Sequence, residues 1–192
     1  MARPRSEDKH AAILDAAVRV IAERGLSATP TSAISKAAGV AEGTLFTYFK
    51  TKDALVNALY LDIKREMAGT MMAGFPRHAA IRQQLQHVWD HYVEWGVAQP
   101  AKKQVMAQLH TSAYITAESR AVASAPFAEI EQVCKASIAS QVLRDYPVPF
   151  IWACMSSLAE ATIGCMVQDP QAAASYQRAG FEVLWNGIAF NA

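Results

Sequence analysis

The chain has 192 residues, of which 52% are hydrophobic and 18% charged, with a formal net charge of +1. That composition suits a globular protein with a substantial core, as one large or two small domains, and excludes an intrinsically disordered chain. No apolar run is expected to reach the ~20 residues that span a bilayer, and the polar start MARPRSEDKH lacks the apolar stretch of a signal peptide.

Cys134, Cys154 and Cys165 are odd in number and lack C-x-x-C spacing. They read as reduced, buried thiols of a cytoplasmic protein. Charge is unevenly spread: residues 1–52 carry eight Lys/Arg against five Asp/Glu, and residues 53–192 carry ten against twelve. A basic head on a mildly acidic body suits a protein that offers one end to a polyanion.

Arg3 and Arg5 precede the first helix, in a segment that Pro4 keeps extended; a basic arm for phosphates and a solvated terminus are both open. Ser6 or Glu7 begins a helix to Arg24, with Ile13, Ala17, Val20 and Ile21 as its apolar stripe and Gly25 as its stop. Thr29 to Lys52 then reads as two short helices joined by a tight turn. Thr29 is placed as N-cap and Pro30 as first helical residue. Ile34 and Ala38 face inward, Gly39 takes positive φ, and Val40 packs the turn. A second helix over 41–48 buries Leu45, with Phe49 one turn on, and leaves Glu42, Gly43, Thr44 and Thr47 outside. A helix held firmly by its neighbour but small and polar on its free face fits the major groove of DNA.

From Asp53 a longer helix runs to about Met72, with Thr51 as its N-cap and Leu55, Leu59 and Ile63 in register. Gly69, Gly74 and Pro76 mark its end. The functional boundary is placed at residue 52: a DNA-binding head over 1–52 and a helical domain over 53–192, to which the resemblance given below assigns effector binding and dimerisation. Further helices are expected over 80–96, over 100–111, over 118–143 with a break near Pro126, over 150–167 and over 171–189. No segment shows strand alternation, so the fold class is all-α.

The run AISKAAGVAEGTLFTYFKTKDALVNAL closely resembles the helix-turn-helix signature of the TetR family of transcriptional regulators. Gly25, Ile34, Ala37-Ala38-Gly39-Val40, Gly43-Thr44-Leu45, Tyr48-Phe49, Lys52 and Leu55 carry it, over about the first quarter of the chain. The remainder is similar only in length and helical character. The resemblance implies DNA contacts by Thr31, Glu42, Gly43, Thr44, Thr47, Tyr48 and Lys52, the last two gripping phosphates. Phe46 departs from the tyrosine more common there. The resemblance also implies a homodimer formed by the two terminal helices. On those helices Ile151, Met155, Leu158, Thr162, Met166, Tyr176, Gly180, Val183, Leu184 and Gly187 are the candidate interface, facing a palindromic operator's two half-sites as a two-fold pair. It further implies a small, largely apolar effector, for which Trp89, Tyr92, Met106, His110, Tyr114, Phe127, Trp152 and Met155 are candidates. His110 and Tyr114, at i, i+4, would orient a polar group of that effector, and Glu160 would hold a cation or bridge the dimer.

His87 and His91, also at i, i+4, lack the glutamate that follows the first histidine in zincin helices and read as a solvated face. No metal or cofactor is expected. The alternatives to a regulator are an all-α enzyme, for which no phosphate loop, nucleophile elbow or fixed carboxylate pair is present, and a helical protein-interaction module.

Overall fold

The computed structural model describes residues 5–190. Ten α-helices follow one another: α1 Arg5–Arg24, α2 Thr31–Ala37, α3 Glu42–Tyr48, α4 Lys52–Met72, α5 Ile81–Ala98, α6 Pro100–His110, α7 Ala117–Ser124, α8 Ala128–Ala139, α9 Val148–Gln168 and α10 Ala173–Ile188. Among the described residues there is no strand, only an isolated bridge between Leu143 and Ala189. The fold is all-α. The chain packs as two units, residues 1–65 with 99–123 and residues 66–98 with 124–192. Thirteen of the eighteen Lys/Arg and eight of the seventeen Asp/Glu fall in the first unit, a charge of +5. Five Lys/Arg and nine Asp/Glu leave −4 on the second. The division of charge between the units is thus sharper than a cut at residue 52 shows.

In the first unit the apolar stripe of α1 packs against α2 and α6, with Ile13, Ala17, Ile21, Ile34, Leu45, Leu59, Val105 and Leu109 fully buried. Gly25, at φ +83°, ends α1, and Thr51 Oγ1 accepts from Ala54 N–H at 3.0 Å to cap α4. In the second unit α9 lies against α5 and α10, with Trp89 at the centre. The Trp89 indole N–H donates to Gln177 O (3.0 Å), and its ring lies 6.4 Å from Phe181, tilted.

Several expectations change. Thr29 does not cap forward: α2 begins at Thr31, and the buried Thr29 hydroxyl donates back to Gly25 O (2.7 Å), fixing the loop instead. The helix expected to reach residue 143 ends at Ala139, because Gln141 takes φ +59° and Leu143 turns to bridge Ala189. Val142 is therefore exposed, and Ser137 takes its place inside. Of the cysteines, Cys134 is buried, Cys154 half-buried and Cys165 exposed. Burial and the nearby Glu131 charge push the Cys134 thiol up to about 11, so it packs as a small apolar group.

Helix α9 is, contrary to the expectation from its residues, long and apolar enough to cross a bilayer: within its 21 residues an 18-residue stretch has a mean hydropathy of 1.5, with 33% of that stretch buried inside the protein. The only charge in it is Glu160, flanked on both sides by apolar residues.

Candidate nucleic-acid interface

Helices α2 and α3 are held as a pair by the turn between them. Gly39 sits at φ +67°, Val40 N–H closes on Ser35 O (3.0 Å) and Gly39 N–H on Lys36 O (3.2 Å). This is the left-handed helix stop that glycine permits at low cost. From α3, Leu45 is fully buried and Phe49 nearly so, with the His10 ring 4.9 Å from Phe49 and 6.3 Å from Tyr48.

The outer face of α3 has different chemistry. Glu42, Gly43 and Thr47 are exposed, and Thr44 and Tyr48 half-buried. A Cβ placed on Gly43 meets nothing within 4 Å, and its φ is not positive. The fold therefore makes no demand for glycine there, though glycine weakens a helix by roughly 0.5–1 kcal/mol relative to alanine. Space left open at a cost in stability is what a closely approaching partner requires. Thr47 Oγ1 donates to Gly43 O (3.0 Å), so its hydroxyl is engaged within the helix. Thr31 Oγ1 donates to Glu42 Oε1 (3.0 Å), tying the start of α2 to the start of α3. Phe46 is 37% exposed on the same short helix. Sequence reasoning singled it out only as a departure from tyrosine; its exposure adds an apolar ring to the presented surface.

Lys52 is placed differently from Tyr48. Its ammonium donates to Leu26 O (3.3 Å) and stands 5.7 Å from the centre of the Tyr114 ring. It is engaged by the protein itself before any phosphate arrives. Arg3 lies outside the described residues, and Arg5 is the first residue of α1.

The effector candidates separate between the units. Met106, His110 and Tyr114 belong to the first; Trp89, Tyr92, Phe127, Trp152 and Met155 belong to the second. His110 and Tyr114 do not share a helical face. Helix α6 ends at His110, and the Tyr114 N–H turns back to Ser112 Oγ (3.1 Å). Trp89 and Met155 are core, and Tyr92, Phe127 and Trp152 are half-buried. Burial and the Glu160 carboxylate push the Tyr92 phenol up to about 12. Its ring is stacked at 6.5 Å on Trp95, whose N–H donates to Glu66 Oε1 (3.0 Å).

His87 and His91 do not form a solvated face. Their rings lie 4.0 Å apart, with the Phe75 ring edge-on to His87 at 5.9 Å. The His91 Nδ1–H donates to His87 O (2.8 Å), the carbonyl fixing which nitrogen carries the proton. No group of three potential metal ligands occurs among the described residues.

The terminal helices invert part of the expected interface. Ile151, Met155, Thr162, Met166 and Leu184 are buried by the chain's own helices. Gly180 is jammed against them: a Cβ there would lie 2.3 Å from Thr162 Oγ1 and 2.6 Å from the Trp89 ring. Leu158 and Tyr176 are half-buried, and Val183 and Gly187 exposed. The exposed positions instead include Ala161, Gly164, Cys165, Val167 and Val183, small and apolar, with Val167 57% and Val183 59% exposed, beside the exposed Ser157, Glu160 and Glu182.

Comparison with known proteins agrees with this geometry. Residues 13–59 match the family model described as bacterial regulatory proteins, tetR family. The fatty acid metabolism regulator protein of Bacillus subtilis (strain 168) is 36% identical over 77 residues, a stretch that spans 40% of either chain. Among solved structures, a Shewanella sp. PV-4 protein described as a TetR family transcription regulator is 28% identical with a TM-score of 0.84, over 94% of this chain and 98% of that one. The Bacillus subtilis transcriptional regulator FadR, solved in complex with stearoyl-CoA, shares the fold at 22% identity and a TM-score of 0.71, over 93% and 98% of the two chains. The helix-turn-helix match and the full-length likeness of fold together identify this chain as a member of the TetR family of bacterial regulatory proteins.

Proposed function

We propose that this protein is a ligand-responsive, sequence-specific transcriptional regulator, a repressor released from a palindromic operator by a small, largely apolar effector. The observation that carries the DNA-binding part is α3 itself. Its inner side chains are buried, while its outer face leaves Gly43 in open space beside Thr44, Phe46 and Thr47. A +5 charge on the unit that contains α3 favours a polyanion, and a −4 charge on the other unit disfavours a second contact by it.

Two copies joined through the outward faces of α9 and α10 would form a two-fold four-helix interface. The support is the apolar surface that α9 and α10 leave uncovered in a single chain. Such a dimer presents two α3 helices, hence the palindrome. By role, residues 1–52 read DNA and residues 53–192 bind effector and partner copy, in the cytoplasm.

For the effector, the half-buried rings of Tyr92, Phe127 and Trp152 are the apolar contacts left in the second unit once Trp89 and Met155 are assigned to the core. The stearoyl-CoA held by the fold-mate from Bacillus subtilis supports a ligand with a long apolar part. The second unit offers little to a CoA headgroup. Of its five Lys/Arg, Arg77, Arg82 and Lys135 already pair with Glu129, Glu182 and Glu131. Discrimination between partners of opposite headgroup charge follows from that imbalance.

Selection of bound sequences from random duplex DNA at fixed salt tests the proposal, with recovery of a palindrome expected. Tyr48→Ala or Lys52→Ala should then weaken binding to that duplex while leaving the dimer intact. Affinity equal to wild type in both variants would remove those two residues from the interface.

A further inference from the structure

The end of α1 is opened in a specific way. Had the helix continued one residue, Leu26 N–H would have bonded to Ala22 O, four residues back. Gly25 breaks it at φ +83°, leaving the Leu26 N–H and the Ala22 carbonyl, which would have met each other, without a helical partner. Both are taken by α6. Gln108 Oε1 accepts from Leu26 N–H (2.7 Å), and one helical turn earlier Gln104 Nε2 donates to Ala22 O (3.1 Å). The partners fix which end of each amide points inward: a backbone N–H requires the oxygen, and a backbone carbonyl requires the NH₂.

The same turn is held from α4 as well, by Lys52 on Leu26 O. Asn57 fixes the segment after α6, donating to Tyr114 O (2.7 Å) and accepting from Thr116 N–H (3.1 Å). Residues 25–30 set the angle at which α2, and with it α3, leaves α1.

We infer that Gln104 and Gln108 are positioning residues for DNA reading: by capping the opened end of α1 with opposite hydrogen-bond polarity, α6 fixes the α1–α2 turn and hence the pose of the recognition helix. No contact between either glutamine and DNA is involved. The inference rests on the DNA-binding reading proposed above, and it makes α6, beside α4, an element through which operator affinity is set.

The polarity gives a test in which composition is held constant. Gln104→Lys/Gln108→Glu keeps a donor at 104 and an acceptor at 108. Gln104→Glu/Gln108→Lys has the same charges in the wrong places, and in isolation it is the better helix pair, since glutamate four residues before lysine is the favoured order. Helix propensity therefore biases against the expected result. Gln108 borders an open cleft of about 640 Å³, so neither replacement is forced against a neighbour.

Affinity for the duplex selected by the wild type is measured at fixed salt, with a thermal melt of each variant. The matched pair should bind within about threefold of wild type. The reversed pair should bind about tenfold more weakly, the size of one to two lost hydrogen bonds. Should the reversed pair not fold, Gln108→Leu against Gln108→Glu carries the same comparison, with only the glutamate expected to bind as wild type does. Equal affinities for the matched and reversed proteins, beside a wild type that binds, would overturn the positioning role alone. A wild type that selects no duplex would overturn the DNA-binding reading and this inference with it.

Discussion

Two helical glycines, neither at positive φ, separate what this chain builds for itself from what it builds for another molecule. Gly180 in α10 is demanded by the chain's own packing: Thr162 and Trp89 occupy the space a Cβ would need. Gly43 in α3 is demanded by nothing in the chain, since a Cβ there would meet open space. A glycine in a helix costs stability wherever it sits. At Gly180 close packing around a buried tryptophan offsets that cost; at Gly43 no intramolecular gain is visible. Surfaces of the second kind are where function is to be sought, and α10 carries one three residues on, at Val183.

The contrast can be broken most strongly on that outward face. Val183→Arg places a guanidinium where the proposed dimer excludes water, and an unpaired charge left there costs several kcal/mol. The dimer should fall to monomer in size-exclusion chromatography with light scattering. Val183 is 59% exposed in the single chain, so the folded monomer should survive. A variant that stays dimeric would move the interface elsewhere. Gly180→Ala acts inside. The added methyl forces Trp89 or Thr162 to shift, an overpacking cost of about 1–3 kcal/mol, which lowers the melting temperature by about 2–12 °C in a chain of this size. A melting temperature equal to wild type would show that the close approach at Gly180 is not tight.

The sequence made the head legible because its pattern has one solution. Ile34, Leu45 and Phe49 leave only one buried side for α2 and α3, and Gly39 only one place for the turn. The terminal helices have no such uniqueness. Helix α9 is apolar around most of its girth, so periodicity names the apolar positions without saying which apolar face turns to the chain's own α5 and α10. Ile151, Met155, Thr162 and Met166 have the apolarity of an interface and are core; Cys165 has that of a core residue and is exposed. The His110–Tyr114 pairing failed for a different reason. Spacing implies a shared face only while the helix lasts, and α6 ends at His110, followed by a turn in which Ser112 and Thr116 bind backbone N–H groups. The contacts of Gln104 and Gln108 span 82 residues of chain, and no local pattern announces them.

On α3 the expected effects are smaller and reverse sign between stability and binding. Gly43→Ala should stabilise the protein by roughly 0.5–1 kcal/mol, because alanine is the better helix former and the site has room. The same methyl should weaken operator binding about tenfold, the size of one lost base contact. Binding as tight as wild type in the stabilised variant would mean that nothing approaches this helix closely at Gly43.

Thr47→Val is the finest of these changes. Valine keeps the shape and the methyl and removes only the hydroxyl, which is already spent on Gly43 O at 3.0 Å. That hydrogen bond duplicates nothing the helix needs, since a carbonyl has a second lone pair for its own helical partner. Stability should change by less than about 0.5 kcal/mol. If Thr47 meets DNA through its methyl, its hydroxyl staying engaged within the helix, operator affinity should change by less than about threefold. A tenfold loss, measured on the same duplex and at the same salt as Gly43→Ala, would show that the hydroxyl leaves Gly43 on binding and is given to a base or a phosphate.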